Sequence, residues 1–152
     1  AAYRRVMSVN LDGVFHGLRH LIPLMRDEGG VITVTASRAG LVPTSADAIY
    51  AASKAAVIHM VRSVALSTRK SKLRINALCP ATVDTNLIAD VVREAGVSLI
   101  SAADMANEIV QLLQDGGNGE VRCRLPSRPV FAVGTFDVEL SFNEYTANTE
   151  VN

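Results

Sequence analysis

The sequence predicts an α/β fold in which helices alternate with the strands of a parallel sheet. Two long stretches, residues 3–25 and 48–68, have apolar side chains at helical spacing, and each is followed by a short apolar run typical of a strand. The first of these runs, residues 31–36, is almost wholly apolar or β-branched and does not alternate with polar residues. Because helices cover both faces of a parallel sheet, this pattern favours a parallel sheet over an antiparallel one.

The composition fits one globular domain. The chain has 152 residues, of which 49% are apolar and 20% charged, with 15 basic and 15 acidic side chains and a formal net charge of zero. This balance supports a buried core and gives no basic footprint, so neither nucleic acid nor an anionic membrane is expected as a partner. No apolar run reaches the roughly 18 residues of a membrane-spanning helix, and the first residues lack the features of a secretory signal, so we expect a cytoplasmic protein.

The first helix is predicted over residues 3–25, because its apolar side chains recur every three or four positions. Gly29 and Gly30 follow it, as expected beyond a helix C-terminus, and lead into the strand at residues 31–36. This strand would be a flat apolar edge, prone to aggregation, if no strand paired with its free side. The helix has no capping residue in front of it, so we expect further chain upstream.

The middle of the chain is predicted to contain a second helix and a second strand. A loop with Gly40 and Pro43 covers residues 37–47, and the helix over 48–68 carries small side chains that allow close packing. The basic residues at 69–74 are interpreted as a solvated cap of the helix C-terminus rather than a DNA-binding patch. A strand over residues 74–79 then ends at Pro80, which cannot donate to a ladder of hydrogen bonds.

The remaining elements are shorter. Residues 86–94 are predicted to form a short helix, and the capping-box-like pair Ser101 and Asp104 begins another helix that ends near Gln114. A glycine-rich turn at residues 115–119 leads to a last strand near residues 120–125. We therefore expect residues 1–125 to form the domain and residues 126–152 to form a tail, with one stray strand around residues 130–133.

Two residues of the second helix could carry acid–base chemistry. Tyr50 and Lys54 lie four positions apart, which places them on one face of the helix and one turn from each other. A neighbouring ammonium favours the phenolate form of a tyrosine, which would let Tyr50 act as an acid or a base. The pair alone is a weak signal, because the same spacing occurs at the edge of many amphipathic helices where the lysine only extends its charge to solvent.

Ser37 strengthens the signal because it directly follows the first strand. The carboxyl ends of parallel strands form the edge at which α/β folds bind ligands. Ser37 precedes Tyr50 by 13 residues, a loop long enough to bring the hydroxyl towards the phenol. A hydroxyl there could bond a substrate oxygen as charge develops on it. The second strand ends at the same expected edge, in residues 79–85.

The order of these residues resembles the second half of a short-chain dehydrogenase/reductase (SDR). The resemblance rests on four matches that occur in chain order: Asn10 within Val9-Asn10-Leu11-Asp12-Gly13-Val14-Phe15, Ser37 at a strand end, Tyr50-x-x-x-Lys54, and the segment Pro80 to Thr85 after the next strand. The likeness runs from about residue 3 to residue 125. It implies a partial Rossmann-like fold, the second half of a doubly wound parallel sheet.

The resemblance implies catalytic roles for four residues. Tyr50 would exchange a proton with the carbonyl or hydroxyl oxygen of the substrate, and Ser37 would hold that oxygen. Lys54 would favour ionisation of Tyr50 and bond the ribose hydroxyls of a nicotinamide cofactor. Asn10 would hold a water molecule that links Lys54 to solvent.

The same resemblance implies NAD or NADP as cofactor and a small alcohol or ketone as substrate. Besides Tyr50 and Lys54, three residues match cofactor-binding positions: Pro80, Val83 and Thr85. The backbone at Val83 and the hydroxyl of Thr85 would hold the carboxamide of the nicotinamide.

The sequence departs from the family pattern in two places. Ala81 stands where the family usually has glycine, so the loop must adjust if that position needs a positive φ. The glycine-rich turn that brings a pyrophosphate to a helix N-terminus has no counterpart, because Gly13 and Gly17 lie within a predicted helix and residues 116–119 lead from a helix to a strand. These glycines are interpreted as close packing and a turn, and the chain is expected to begin partway through the domain.

Other candidates have simpler interpretations. His16 and His20 have a spacing that can bind a metal, but the sequence offers no evident third ligand, so no metal is expected. Cys79 and Cys123 form no ligand cluster and are interpreted as reduced structural thiols. The apolar stretches at residues 41–43 and 87–89 either line a substrate pocket or cover the core, and the sequence leaves both readings open.

Two functions are consistent with the sequence. The first is an oxidoreductase that transfers a hydride between NAD(P) and a secondary alcohol or ketone. The alternative is a truncated, catalytically inactive remnant that acts only as a dimerising or binding module. In the family, helices like those over residues 3–25 and 48–68 pair with the same helices of a second subunit, so the resemblance also implies a homo-oligomer.

Overall fold

The computed structural model describes residues 2–45, 47–86 and 90–134 of the chain. In chain order its elements are α1 (Ala2–Met7), a π-helical turn (Ser8–Asp12), α2 (Gly13–Met25), β1 (Gly30–Thr35), a 3-10 turn (Arg38–Gly40), α3 (Ala48–Thr68), β2 (Leu73–Pro80), α4 (Asp90–Glu94), α5 (Ala102–Asp115), β3 (Val121–Leu125) and β4 (Arg128–Ala132). The predicted α/β fold is confirmed.

The four strands form one sheet in the order β1-β2-β3-β4. β1 pairs parallel with β2, and β2 pairs parallel with β3, whereas β4 pairs antiparallel with β3. β4 is the stray strand expected around residues 130–133, and it begins two residues earlier. The sheet therefore continues past residue 125 into the segment predicted as a tail, and residues 135–152 lie outside the described part.

The first predicted helix is confirmed over its length, but it contains a π-helical turn. α1 and α2 are joined by Ser8–Asp12, and both Met7 and Gly13 at its ends keep right-handed helical backbone angles. A π turn inserts one extra residue per turn and rotates the side chains that follow it. Apolar residues recur every three or four positions both before and after this turn. The sequence pattern therefore does not reveal the inserted residue.

The main core lies between α3 and the sheet. Val57, Val61 and Ala65 of α3 pack with Ile75 and Ala77 of β2, and all five side chains are almost fully buried. On the other face of β2, Leu78 packs with Ile100 and with two residues of α5, Met105 and Leu112. Helices thus cover both faces of β2, as the sequence predicts.

β1 is less completely covered than its sequence suggests. Ile32 and Val34 are buried, but the alternate residues Val31 and Thr33 are only half-buried. In the described sheet β1 pairs with β2 alone, so its other side is an edge. This arrangement matches the expected apolar edge at residues 31–36.

α3 has the length and composition of a helix that could cross a membrane, with 21 residues and high mean hydropathy. The core helix of a globular protein passes the same test. One face of α3 packs against β2 through Val57, Val61 and Ala65, whereas Ile49 and Leu66 are exposed.

Two asparagines connect the turn before β3 to the rest of the fold. The Asn118 side chain accepts a hydrogen bond from the Ile75 backbone N–H (3.0 Å) and donates one to the Ala65 carbonyl (3.0 Å). The fully buried Asn76 accepts from the Glu120 N–H at 2.9 Å. These bonds join α3, β2 and the start of β3, and they satisfy backbone groups that would otherwise be buried without partners.

Replacing Asn118 with alanine is expected to lower the free energy of unfolding by about 1–3 kcal/mol, because the Ile75 N–H and the Ala65 carbonyl both lose their partner. Urea unfolding followed by circular dichroism measures this change. Asn107, which is exposed on α5, provides the matched control, and Asn107→Ala should stay within about 0.5 kcal/mol of the wild type. Equal stability of the two variants would contradict the assigned role of Asn118.

Candidate functional site

A cavity of about 710 Å³ opens at the carboxyl ends of β1 and β2. It is lined by six of the seven residues that the sequence predicts for the site: Ser37, Tyr50, Lys54, Pro80, Val83 and Thr85. Asn10 is not among the residues that line it. Residues that lie far apart in the sequence therefore face one common space.

The parallel pairing of β1 and β2 explains why these residues meet. Thr35 of β1 lies opposite Leu78 of β2, and the Ala36 N–H donates to the Leu78 carbonyl at 2.8 Å. Both strands run in the same direction, so Ser37 and Pro80 leave the sheet at the same edge. The cavity lies at that edge, where α/β folds bind ligands.

Tyr50 lies in the first turn of α3. The Asp47 carboxylate caps the helix by accepting from the Tyr50 backbone N–H at 2.9 Å. One turn later, Lys54 places its Nζ 5.9 Å from the centroid of the Tyr50 ring. The phenol and the ammonium are therefore neighbours on the face of α3 that borders the cavity.

The Lys54 ammonium is tied to the end of β1. Its Nζ donates to the Thr35 carbonyl at 3.1 Å. Burial lowers the pKa of Lys54, and a negative charge on Cys79 would oppose this effect. Burial thus makes the charged form of Lys54 less stable than it would be in water, although its Nζ still bonds the end of β1.

Cys79 lies beneath the site and stays protonated. Burial is the main cause that raises the pKa of Cys79 to about 12, and Cys123 on the neighbouring strand adds to it. A hydrogen bond from the Ser37 backbone N–H and the charges of Arg62 and Lys54 act in the opposite direction. Cys79 and Cys123 are both free and buried, which agrees with reduced structural thiols.

Ser37 continues β1 in an extended conformation and begins the 3-10 turn. Its Oγ accepts a hydrogen bond from the Ala39 N–H at 3.1 Å, so the side chain caps that turn. This bond occupies the hydroxyl as an acceptor and leaves its hydrogen for an oxygen in the cavity. The Ser37 hydroxyl therefore remains able to donate to an oxygen in the cavity.

Gly40 allows the 3-10 turn to approach α3 closely. A Cβ at this position would lie 2.6 Å from the Lys54 carbonyl carbon and 2.7 Å from the Ala55 nitrogen. These are backbone atoms inside a helix and cannot move aside easily. The distance between the Ser37 loop and the Tyr50 helix therefore depends on the absence of a side chain at Gly40.

Asn10 lies in the π-helical turn and contacts α3 behind the cavity. Its Nδ2 donates to the Ser53 Oγ at 3.1 Å, and the Ser53 Oγ donates to the Tyr50 carbonyl at 2.7 Å. Within the described residues no direct hydrogen bond joins Asn10 to Lys54. The side chain of Asn10 reaches the residue that precedes Lys54, so its predicted role in a water relay stays a prediction.

The segment after β2 is held from two sides. Val83 forms a parallel bridge with Ile100, and the Ile100 N–H donates to the Thr82 carbonyl at 2.9 Å. Arg93 of α4 donates to the Thr85 carbonyl at 2.7 Å and forms an ion pair with Asp84 at 3.1 Å. These contacts hold Val83 and Thr85 at the cavity.

Ala81 replaces the glycine of the family pattern and continues the sheet. Its N–H donates to the Arg124 carbonyl at 2.9 Å, one residue beyond the end of β2. The position thus serves the pairing between β2 and β3.

Sequence reasoning missed several residues of the cavity, among them Asp47, Met105 and Ile109. Asp47 could have been found, because an aspartate directly before a helix is a typical N-cap. Met105 and Ile109 lie one turn apart on α5 and form an apolar part of the lining. No local signal marks them, since only the packing of α5 against the sheet brings them to the site.

Other sequence candidates lie elsewhere. Leu41 and Val42 line a second cavity rather than this one, and residues 87–89 lie outside the described part of the chain. Gly13 begins α2, Gly17 lies within it, and residues 116–119 form the connection between α5 and β3. Across residues 2–45, 47–86 and 90–134, no three His, Cys, Asp or Glu side chains are grouped so that they could hold a metal.

The family model described as short chain dehydrogenase matches residues 1–96. The chain is 39% identical over 87 residues to 3beta-hydroxysteroid dehydrogenase 2 of Eggerthella lenta, covering 56% of this chain and 34% of that protein. It is 27% identical over 143 residues to 15-hydroxyprostaglandin dehydrogenase (NAD+) of Mus musculus, covering 78% of this chain and 53% of that one. The crystal structure of levodione reductase matches the fold with a TM-score of 0.74 at 26% identity, covering 82% of this chain and 56% of that one.

The chain thus spans between a third and about half of the length of these relatives. The family match covers more than half of the chain and includes Asn10, Ser37, Tyr50 and Lys54. The Rossmann-like fold expected from the sequence is also the fold of the matched structure. The chain belongs to the short-chain dehydrogenase family.

Proposed function

We propose that this chain carries the proton-transfer residues of an NAD(P)-dependent oxidoreductase that interconverts a secondary alcohol and a ketone. One observation carries the proposal: Ser37, Tyr50 and Lys54 line a single cavity at the carboxyl ends of β1 and β2. Membership of the short-chain dehydrogenase family supports it. The residues that handle the proton in this reaction are all within the described chain.

In the direction of alcohol oxidation, the Tyr50 phenolate would accept the proton of the substrate hydroxyl. The Ser37 hydroxyl, whose hydrogen is not used by the bond from the Ala39 N–H, would bond the same oxygen. The Lys54 ammonium, 5.9 Å from the centroid of the ring, would face the charge that Tyr50 carries during the transfer. In ketone reduction the proton would move from Tyr50 to the oxygen.

The cavity also suits the nicotinamide end of the cofactor. Lys54 gives one hydrogen bond, to Thr35, among the described residues, and an ammonium has three hydrogens to donate. It could therefore bond ribose hydroxyls, while Pro80, Val83 and Thr85 border the space on the opposite strand. When bound there, the nicotinamide would exchange a hydride with the substrate carbon. The name of the mouse relative specifies NAD+, which makes it the first cofactor to test.

The substrate is expected to be largely apolar. Met105 and Ile109 line the cavity together with Val83 and Val92. Apolar side chains contribute binding energy in proportion to the apolar surface that the ligand buries. Hydroxysteroid and levodione, named in two relatives, are compounds of this kind and make reasonable first substrates.

The alternative, a non-catalytic dimerising or binding module, is supported by exposed apolar side chains along the first helices. Tyr3, Val9 and Leu24 are 58%, 68% and 76% exposed, which is unusual for large apolar side chains. These side chains and α3 are the proposed surface for a homo-oligomer. Calorimetric titration with NAD+ and NADP+ separates the two functions. Saturable cofactor binding favours the oxidoreductase. A chain that forms a stable dimer in solution but binds neither cofactor favours the module.

Replacing Tyr50 with phenylalanine is expected to reduce turnover of a secondary alcohol by about 10²- to 10⁴-fold, because the phenyl ring cannot carry the proton. The dissociation constant of the cofactor should change little. Turnover is measured with the complete natural protein that contains this chain. Tyr3→Phe, on the exposed face of α1, is the matched control and should keep wild-type activity. Activity retained by Tyr50→Phe would exclude Tyr50 as the proton donor.

Replacing Lys54 with methionine is expected to change the pH dependence of stability. Burial lowers the pKa of Lys54 below the ordinary 10.5, so the folded state binds this proton more weakly than the unfolded chain. The cost of burying the ammonium is fully present below the lowered pKa and disappears as the pH rises towards 10.5. Lys54→Met should therefore unfold at a higher temperature than the wild type at pH 7, and the difference should narrow at pH 10.

Melting curves at the two pH values test this expectation. Lys70→Met, at an exposed position beyond α3, should follow the wild type at both. If the melting temperature of Lys54→Met relative to the wild type rose from pH 7 to pH 10, the fold would stabilise the ammonium rather than desolvate it.

Replacing Gly40 with alanine is expected to lower both stability and turnover, because the added methyl group would lie 2.6 Å from the α3 backbone. Overpacking of this kind costs about 1–3 kcal/mol. Gly17→Ala is the matched control: a Cβ at Gly17 meets nothing within 4 Å, and alanine favours the helix. If Gly40→Ala were as stable and as active as the wild type, the close approach of the turn to α3 would not limit the site.

A further inference from the structure

A second cavity, of about 620 Å³, lies between the 3-10 turn, α3 and the strands β3 and β4. Arg38 lines both this cavity and the one at Tyr50, so the 3-10 turn lies between the two spaces. Volumes of this size are typical of pockets that bind small organic molecules. Apart from Gly40, which positions the turn against α3, the proposed reaction uses none of the residues that line only this cavity.

The walls of the second cavity are mainly apolar. Ile58 of α3, Leu125 of β3 and Phe131 of β4 line it, together with Leu41 and Val42 beyond the 3-10 turn. The apolar stretch around residues 41–43 thus lines a pocket, although a different one from the space at Tyr50. Such walls favour a ligand with an apolar body.

The charges of this cavity have one sign. Arg38, His59 and Arg62 are its titratable basic residues, and no aspartate or glutamate lines it within the described chain. At the border of the cavity, the Arg128 guanidinium lies 4.0 Å from the centroid of the Phe131 ring. In the described residues, no carboxylate lies within the 4.0 Å of an ion pair from Arg38, Arg62 or Arg128.

Arg62 is the most constrained of these cations. Its Nη2 donates to the carbonyls of Val133 (3.0 Å) and Gly134 (3.2 Å), which holds the side chain against the end of β4. Its Nε is buried and has no hydrogen-bond partner among the described residues. Among the described residues, the buried Nε of Arg62 lacks a hydrogen-bond partner and the half-buried guanidinium lacks a counter-charge, so an anion beside it would offset both costs.

We propose that this second cavity binds an amphipathic carboxylate, a molecule with one carboxylate and an apolar chain. The carboxylate pairs with Arg62 and Arg38, and the chain lies against Ile58, Leu125 and Phe131. The planar guanidinium group matches the two oxygens of a carboxylate, and the apolar walls match the chain. Among the described residues, this cavity shares Arg38 alone with the lining of the proposed proton-transfer site, and the proposal does not depend on that function.

The test is calorimetric titration of the whole chain with dodecanoate, below the concentration at which it forms micelles. Dodecanol, which has the same chain and no charge, is the matched ligand. We expect saturable binding of dodecanoate and affinity for dodecanol lower by about tenfold or more, the effect of losing one charge-assisted hydrogen bond. No saturation by dodecanoate, or equal affinities for the two ligands, would overturn the proposal.

Two variants test whether the ligand binds in this cavity. Arg62→Met should remove the preference for dodecanoate over dodecanol, whereas Arg69→Met, exposed at the C-terminal end of α3, should keep it. Ala55→Phe should fill part of the cavity and weaken both ligands. Ala52→Phe, an exposed position one turn earlier on α3, should bind as the wild type does. Wild-type binding by both Arg62→Met and Ala55→Phe, in folded proteins, would place the ligand elsewhere and exclude this site.

Discussion

The parallel pairing of β1 with β2 is the interaction on which the candidate site depends. It sets Thr35 opposite Leu78 and continues through the hydrogen bond from the Ala36 N–H, so that Ser37 and Pro80 leave the sheet side by side. The α3 crossover connects the two strands and returns across one face of the sheet. An antiparallel pair would send the two chain ends to opposite edges and separate the Ser37 hydroxyl from the segment that begins at Pro80.

Two contacts then fix α3 relative to this edge. The Lys54 ammonium bonds the Thr35 carbonyl, and the backbone of Gly40 rests directly on the helix at Lys54. Behind the helix, Asn10 bonds Ser53, which bonds the Tyr50 carbonyl in turn. The helix is therefore held from the strand, the turn and the first helix at once, and all three contacts fall within one turn of Tyr50. Preorganisation of this kind is what acid–base chemistry requires, because proton transfer depends on short, directed distances.

The sequence alone predicts much of this arrangement, and the exceptions have physical causes. Apolar spacing identifies the main helices and strands, and the residues around Tyr50 and Lys54 indicate the site, because these signals are local. The π-helical turn at Asn10 is invisible to spacing, since one inserted residue changes the direction of side chains without changing their polarity. Met105 and Ile109 reach the cavity only through long-range packing of α5. The close contact at Gly40 likewise depends on two segments that meet only in the folded chain.

The neutral thiol of Cys79 determines how the charge of Lys54 acts in the site. Cys79 is among the titratable groups nearest to Lys54, but its pKa of about 12 keeps the thiol protonated at any pH at which the lysine carries its charge. Lys54 therefore has no anionic partner fixed by the fold among the described residues. Its charge remains directed at the phenol beside it and at the open cavity. A thiolate in place of the thiol would give the ammonium a buried anionic partner. The burial of Cys79 thus serves the site as well as the core, because the neutral sulfur does not compete for the charge of Lys54.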